Sequence, residues 1–146
     1  MADSKDTSRD TYKTLDLSLR IGEVLLSSGA GAADVGATML NVAHGCGLRA
    51  ATADVTFTEL AMSHQSSFDE PAMIQIRQVR HREIDYEDLT LVDHLVRDLV
   101  AGLVDRDEAR SRLARFVSSG HRLPRWAVTL GLGVMGAGVG LLVGGD

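Results

Sequence analysis

The sequence predicts an α+β fold: a helical hairpin, a short antiparallel sheet of about three strands, two further helices, and then one C-terminal transmembrane helix. Three observations carry that expectation. The hydrophobic period switches from helical spacing to strict alternation near residue 51 and returns to helical spacing after residue 85. The alternating runs lie too close together for the crossover of a dozen or more residues that parallel pairing requires. Finally, the charges stop: all 15 basic and 19 of the 20 acidic residues of this 146-residue chain fall in 1–125, and 126–145 carries none.

Residues 1–14 are polar, mixed in charge and free of any apolar run, so no signal peptide is read there and they are expected to form a disordered lead-in. The folded domain is expected over 15–124. Leu17, Ile21, Val24 and Leu25 recur at helical spacing and make one apolar stripe, which Ser27-Ser28-Gly29-Ala30-Gly31 breaks, with Gly29 as a left-handed cap. Val35, Met39, Val42, Ala43 and Cys46 line one face of a second helix, which ends at His44-Gly45-Cys46-Gly47. A short loop between two such helices makes an antiparallel hairpin.

Ala51, Ala53, Val55 and Phe57 then alternate with Thr52, Asp54, Thr56 and Thr58, as in a half-buried strand. Leu60 and Met62 continue out of phase, which implies a second strand or a bulge around Thr58-Glu59. Gln65 to Pro71 has loop composition, and Met73 to Arg80 forms a third strand with Ile74 and Ile76 on one face. Asp85 is placed to cap a third helix with Glu87 and Asp88 in its first turn, and Leu89, Val92, Val96, Leu99, Val100 and Leu103 form its stripe. Asp105 with Glu108 resembles a capping box ahead of a fourth helix burying Ala109, Leu113, Phe116 and Val117.

The uncharged run is the length that crosses a bilayer core of roughly 30 Å as a helix. Arg122 and Arg125 precede it, which puts 1–125 on the cytoplasmic side of the plasma (inner) membrane, and Trp126 sits where an interfacial aromatic is expected. The segment 125–146 is therefore read as the first transmembrane helix of a larger membrane region. Gly131 to Gly136 matches the dinucleotide-binding glycine pattern, but the preceding strand, following helix and acidic residue about 20 positions on that the motif needs are not expected around it. Gly136, Gly140 and Gly144 at four-residue spacing read instead as a helix-packing face in the membrane.

Composition narrows the function classes. A net charge of −5 argues against a general grip on nucleic acid, and aromatics at 4% argue against a base-stacking platform. One cysteine cannot make an internal disulfide or a C-x-x-C site. Ser27 or Ser28 with one of His44, His64, His81, His94 or His121 could be assembled on paper as nucleophile and base. No nucleophile elbow is present, and helix capping accounts for the serines. His44, Cys46 and His64 form a weak set of metal-ligand types, with Cys46 on an apolar face and core packing the better account, so no metal and no cofactor are expected. The polar set with most to offer is Asp54, Thr56, Thr58, Glu59 and His64. If a helix covers the strand face bearing Asp54, Thr56 and Thr58, Asp54 is a buried carboxylate and a ligand candidate. If that face is open to water, which is the favoured reading, it is a polar sheet surface.

The ordered pieces Ser28-Gly29-Ala30, Asp34-Val35, Thr38-Met39, Gly47-Leu48, Asp54-Val55-Thr56-Phe57-Thr58, Val79-Arg80, Asp85-Tyr86, Leu95-Val96-Arg97-Asp98-Leu99-Val100-Ala101-Gly102 and Pro124-Arg125-Trp126 resemble the cytoplasmic N-terminal domain of the threonine/serine exporter family. The likeness covers 15–126 and ends where that family's first membrane helix begins. Gly36 departs from it, since family members often carry an acid at that place. The resemblance implies export of small hydroxy amino acids by a secondary transporter rather than an enzyme. It implies partners as well: the remaining membrane helices or a partner membrane subunit, the lipid bilayer and the solute itself, with a homo-oligomer compatible. Within the family, related split systems are associated with dicarboxylates. Asp34 and Thr38, in the matched pieces of the second helix, join Asp54, Thr56, Thr58 and His64 as candidate ligand contacts. The competing expectation is a membrane-tethered module that is hydrolase-like or binds a small ligand.

Overall fold

A computed structural model describes residues 2–80 and 86–119. In chain order the elements are α1 (Ala2–Ser27), α2 (Ala32–Gly45), β1 (Ala51–Val55), β2 (Glu59–His64), β3 (Met73–Gln78), α3 (Tyr86–Val100) and α4 (Arg106–Ser119). This is the expected α+β order, with two helices, three antiparallel strands and two helices. Among the described residues no helix is long and apolar enough to cross a membrane. The expected span, with Gly136, Gly140 and Gly144, lies outside the described residues, as does Asp85.

Helix α1 organises the domain. It touches every other element except β1, which is covered by α2. A surface helix buries one stripe, but α1 is buried all round over Thr14 to Leu19, because α2, α3, α4 and the sheet surround it. Leu15, Leu17 and Ile21 are fully buried and meet Val35, Met39 and Val42 of α2 and Leu60 of β2 in one core. Gly22 marks a close approach: a Cβ there would lie 2.5 Å from Met39 Sδ and 3.2 Å from Leu60 Cδ1.

Helix α1 also corrects the expectation for residues 1–14. Positions 2–14 are helical and continuous with the rest of α1. The reason is tertiary rather than local. Arg106 of α4 donates to the Asp10 carbonyl (3.1 Å) and to its carboxylate (2.8 Å), and Gln75 of β3 donates to the Tyr12 carbonyl (3.0 Å). Thr11 and Thr14 are buried by those neighbours. Composition alone reads as unstructured here, but the helix is held by partners distant in sequence.

The expected hairpin between α1 and α2 turns at Gly29, whose φ of 87° lies in the left-handed region. The Gly29 amide donates to Leu26 and the Ala30 amide to Leu25, which together make a Schellman ending. The same pair of bonds closes α2 at Gly47 and α3 at Gly102. At α4 only half of the expected capping box forms. The Glu108 amide donates to the Asp105 carboxylate at 2.8 Å, while the Glu108 side chain accepts from Arg112 at 2.6 Å.

The sheet order is β1-β2-β3, with Val55 opposite Leu60 and Ala61 opposite Ile76. Its inner face carries Ala51, Leu60 and Met62, which are buried, and the half-buried Gln75 and Arg77. Ile74 and Ile76 share a face, as expected, but it is the outer one, where they are 63% and 62% exposed. Phe57 does not continue the alternation of β1. It falls in the Thr56–Glu59 turn, held by the Thr56 amide donating to the Glu59 carbonyl, and is 94% exposed. On α3 the buried face is Val92, Leu95 and Leu99, while Val100 at its end and Leu103 in the turn that follows are exposed.

One buried hydroxyl in α1 has no hydrogen-bond partner: Thr14 Oγ1, on a residue with no exposed surface. A helical threonine commonly bonds the carbonyl four residues back. That carbonyl, Asp10, accepts from Arg106 instead. Valine has the same shape and a similar helix propensity, so Thr14→Val removes only the desolvated hydroxyl. It is expected to raise unfolding stability by about 1 kcal/mol, seen as a higher urea midpoint at unchanged slope; an unchanged or lower midpoint would show that the hydroxyl is satisfied.

Candidate functional site

The candidates named from sequence divide between two sides of the sheet. Asp54 is exposed on the outer face of β1, but the strand ends at Val55, so Thr56 and Thr58 stand exposed in the turn that follows and the expected shared strand face does not extend to them. The Thr52 and Ser63 hydroxyls hydrogen-bond across the outer face. His64 lies on the opposite face with Leu60 and Met62. It is half-buried in a wide polar groove of about 680 Å³ against the first turns of α1, near Asp3, Thr7, Thr11 and Glu70. Asp34 is exposed in the first turn of α2 and Thr38 is half-buried one turn on, and α2 packs on the inner side of β1, where Gly36 approaches Val55. Alternation separates Asp54 from His64, while Thr56 and Thr58 lie in the turn at the opposite end of β2 from His64.

The other weighed residues have local roles. Ser27 donates its hydroxyl to the carbonyls of Glu23 (2.6 Å) and Val24 (3.1 Å). His44 and His94 are exposed, and Asp93 beside His94 pairs with Arg97 at 2.7 Å. Cys46 packs against the core, and burial pushes its thiol up, with the charge of Arg106 acting in the opposite sense. A raised thiol is protonated near neutral pH and is a weak nucleophile. Burial opposes the charge on Arg106 itself, but its hydrogen bond and ion pair with Asp10, aided by Asp107, outweigh that and hold the guanidinium charged. Among the described residues no three histidine, cysteine or acidic side chains gather as a metal site. His81 and His121 lie outside the described residues.

The structure instead gathers a set of charges that the sequence left scattered. Asp16 lies between Leu15 and Leu17 in the buried part of α1, with its side chain only 12% exposed. Three arginines from three elements surround its carboxylate: Arg20 one turn along α1 (Nε, 3.0 Å), Arg110 of α4 (Nη2, 3.4 Å) and Arg77 of β3 (Nη1, 3.7 Å). Arg77 also contacts Glu23 through Nε at 2.6 Å. Three guanidiniums facing two carboxylates leave the cluster with one positive charge in excess. A pocket of about 270 Å³ adjoins it, lined by the charged Arg20, Glu23 and Arg77, by the apolar Val24, Leu113 and Val117, and by Ser27 and Ser118. Such a place can hold a small anion or zwitterion while burying a short apolar group.

Only one link of this cluster was visible in the sequence, the four-residue spacing of Asp16 and Arg20 on one helix. Arg77 was hidden by the phase of β3. With Ile74 and Ile76 on the outer face, the inner positions fall to Gln75 and Arg77, contrary to what hydrophobicity alone suggests.

Comparison with known proteins adds a second line. A family model described as "Putative threonine/serine exporter" matches residues 16–146. A protein of Mycobacterium tuberculosis (strain ATCC 25618 / H37Rv) named "Probable threonine/serine exporter" is 38% identical over 135 residues, which is 92% of this chain and 26% of the relative. The chain therefore spans about a quarter of the length of that curated relative. No solved structure matches the chain.

Removing the Asp16 carboxylate leaves three arginines facing one another with Glu23 alone to balance them. Breaking a fully buried pair costs about 3–5 kcal/mol, and partial exposure of the arginines lowers that figure. Asp16→Ala is expected to destabilise the domain by about 2 to 3 kcal/mol in urea unfolding. A loss below about 0.5 kcal/mol, typical of a surface pair, would contradict the buried-hub reading.

Proposed function

The chain belongs to the threonine/serine exporter family, and on that premise we propose that it is the N-terminal cytoplasmic part of a secondary transporter that carries threonine and serine out across the plasma membrane. The observation that carries this reading is the continuity of the family match. It runs from Asp16 in α1 through the α+β domain and across the uncharged stretch 126–145 without a break. A water-facing domain joined to a segment of bilayer-spanning length is the arrangement expected where a cytoplasmic unit meets the first membrane helix. The arginines that precede the uncharged run favour the cytoplasmic side for the domain.

One apolar helix cannot enclose a polar path through a bilayer. Backbone and substrate groups at membrane depth need surrounding protein to satisfy them. In this reading the conduction path belongs to further membrane helices, in the same chain or in a partner subunit, and Gly136, Gly140 and Gly144 supply a face on which such helices can approach closely. The described domain supplies the part that meets the cytoplasmic pool of solute. The candidate contacts Asp34, Thr38, Asp54, Thr56, Thr58 and His64 are spread over different surfaces. The Asp16 cluster with its pocket is the concentrated feature of this domain, and it suits binding better than bond-breaking chemistry.

Cells loaded with labelled threonine test the reading. The chain with its downstream membrane region should speed efflux of threonine and serine over that of alanine, and deletion of residues 2–119 should return efflux to background. Efflux that is indifferent to the presence of the protein would overturn the proposal.

A further inference from the structure

The pocket beside the Asp16 cluster is lined by charged and by apolar side chains from three elements. Along α1, Arg20, Glu23, Val24 and Ser27 fall at i, i+3, i+4 and i+7, so all four face the same groove. Strand β3 adds Arg77, and α4 adds Leu113 and Val117. The charged lining carries both signs. Arg20, the most exposed of the three arginines at 45%, engages Asp16 through Nε, and Glu23 lies beside Arg77. Val24, Leu113, Ala114 and Val117 supply its apolar lining, with Ser27 and Ser118 among them.

We propose that this pocket is a binding site for a small α-amino acid, with its carboxylate on Arg20 and Arg77, its ammonium on Glu23 and its short side chain against Val24, Leu113 and Val117. Charge selects the class. Lining charges of both signs suit a ligand that carries both, a carboxylate for Arg20 and Arg77 and an ammonium for Glu23, whereas phosphate brings only negative charge beside Glu23. A dicarboxylate brings a second negative charge and no ammonium for Glu23 to pair with. The volume, about 270 Å³, falls just below the range of drug-sized sites and suits a ligand of a few heavy atoms with accompanying water.

The site lies in the domain rather than in a membrane path, so its occupancy reports the cytoplasmic concentration of the amino acid. A ligand held between α1, β3 and α4 draws α4 onto α1, and α4 is the last described element before the uncharged stretch. The site therefore reads as a regulatory input, in which solute in the cytoplasm stabilises one placement of α4. The choice of threonine and serine as the amino acids rests on the exporter reading; the zwitterion chemistry does not.

Calorimetric titration of the full 146-residue chain in detergent micelles tests this with four probes: L-threonine, L-serine, succinate and inorganic phosphate. Threonine or serine should bind, with succinate and phosphate at least about tenfold weaker. Arg20→Gln should weaken amino-acid binding by about tenfold or more, as expected for loss of a charge-assisted contact. Because Arg20 also touches Asp16, a second variant keeps the test sound if that one unfolds. Val117→Glu places a carboxylate in the apolar lining without altering the arginines and should abolish binding. Absence of amino-acid binding, binding that survives both substitutions, or phosphate and succinate binding as tightly as threonine would each overturn the proposal. Failure to bind threonine by a chain whose complete transporter still exports it would overturn this site and leave the exporter reading standing.

Discussion

A carboxylate in the middle of a buried helix has to be neutralised where it stands, and the way Asp16 meets that demand shapes the domain. An isolated ion in a low-dielectric interior is prohibitively costly, so Asp16 requires positive partners at close range. One comes from its own helix, one from β3 and one from α4. Elements far apart in sequence are thereby tied to the same point of α1. The excess of arginine over acid that results is also what gives the adjoining pocket its character. Packing and recognition here share one set of side chains.

The rest of the core follows from the central position of α1. A helix enclosed on most sides cannot be purely amphipathic, which explains why Thr14 and Ser18 are fully buried beside Leu15, Leu17 and Ile21. Ser18 meets the cost by donating to the Thr14 carbonyl at 3.0 Å. Where α1 crosses Met39 and Leu60 the space admits only glycine without adjustment, so Gly22 sets how closely α1, α2 and the sheet approach. The outer face of the sheet has no such constraint, and it shows: Ile74 and Ile76 stand exposed beside Thr52, Ser63 and Asp54.

Much of this architecture was legible in the sequence because it is written in local signals. The change of hydrophobic period located the three strands, and Gly29 announced the turn between α1 and α2 through the φ it adopts. Asp105 announced α4 through its bond to the Glu108 amide. What was not legible depends on partners distant in the chain. The first half of α1 is polar and was expected to be disordered, yet it is held by Arg106 and Gln75 across 96 and 63 residues. The shared face of Ile74 and Ile76 was legible but its direction was not, since a short strand with alternating apolar and polar residues can present either set inward. The site was missed for the same reason. Asp54, Thr56 and Thr58 were conspicuous as a polar face, whereas Asp16, Arg77 and Arg110 looked like scattered surface charges until the fold assembled them.

The arrangement requires Asp16 to be coupled energetically to arginines on separate elements, beyond merely lying near them. A double-mutant cycle on Asp16→Asn and Arg77→Gln, with urea unfolding of the wild-type, both single variants and the double variant, measures that coupling directly. Residues in one charge network show interaction energies of about 0.5–3 kcal/mol, whereas independent sites add to within roughly 0.3–0.5 kcal/mol. The account predicts a coupling of at least about 1 kcal/mol, with the double variant more stable than the sum of the two single losses implies. Strictly additive losses would contradict it and reduce the cluster to a set of independent surface charges.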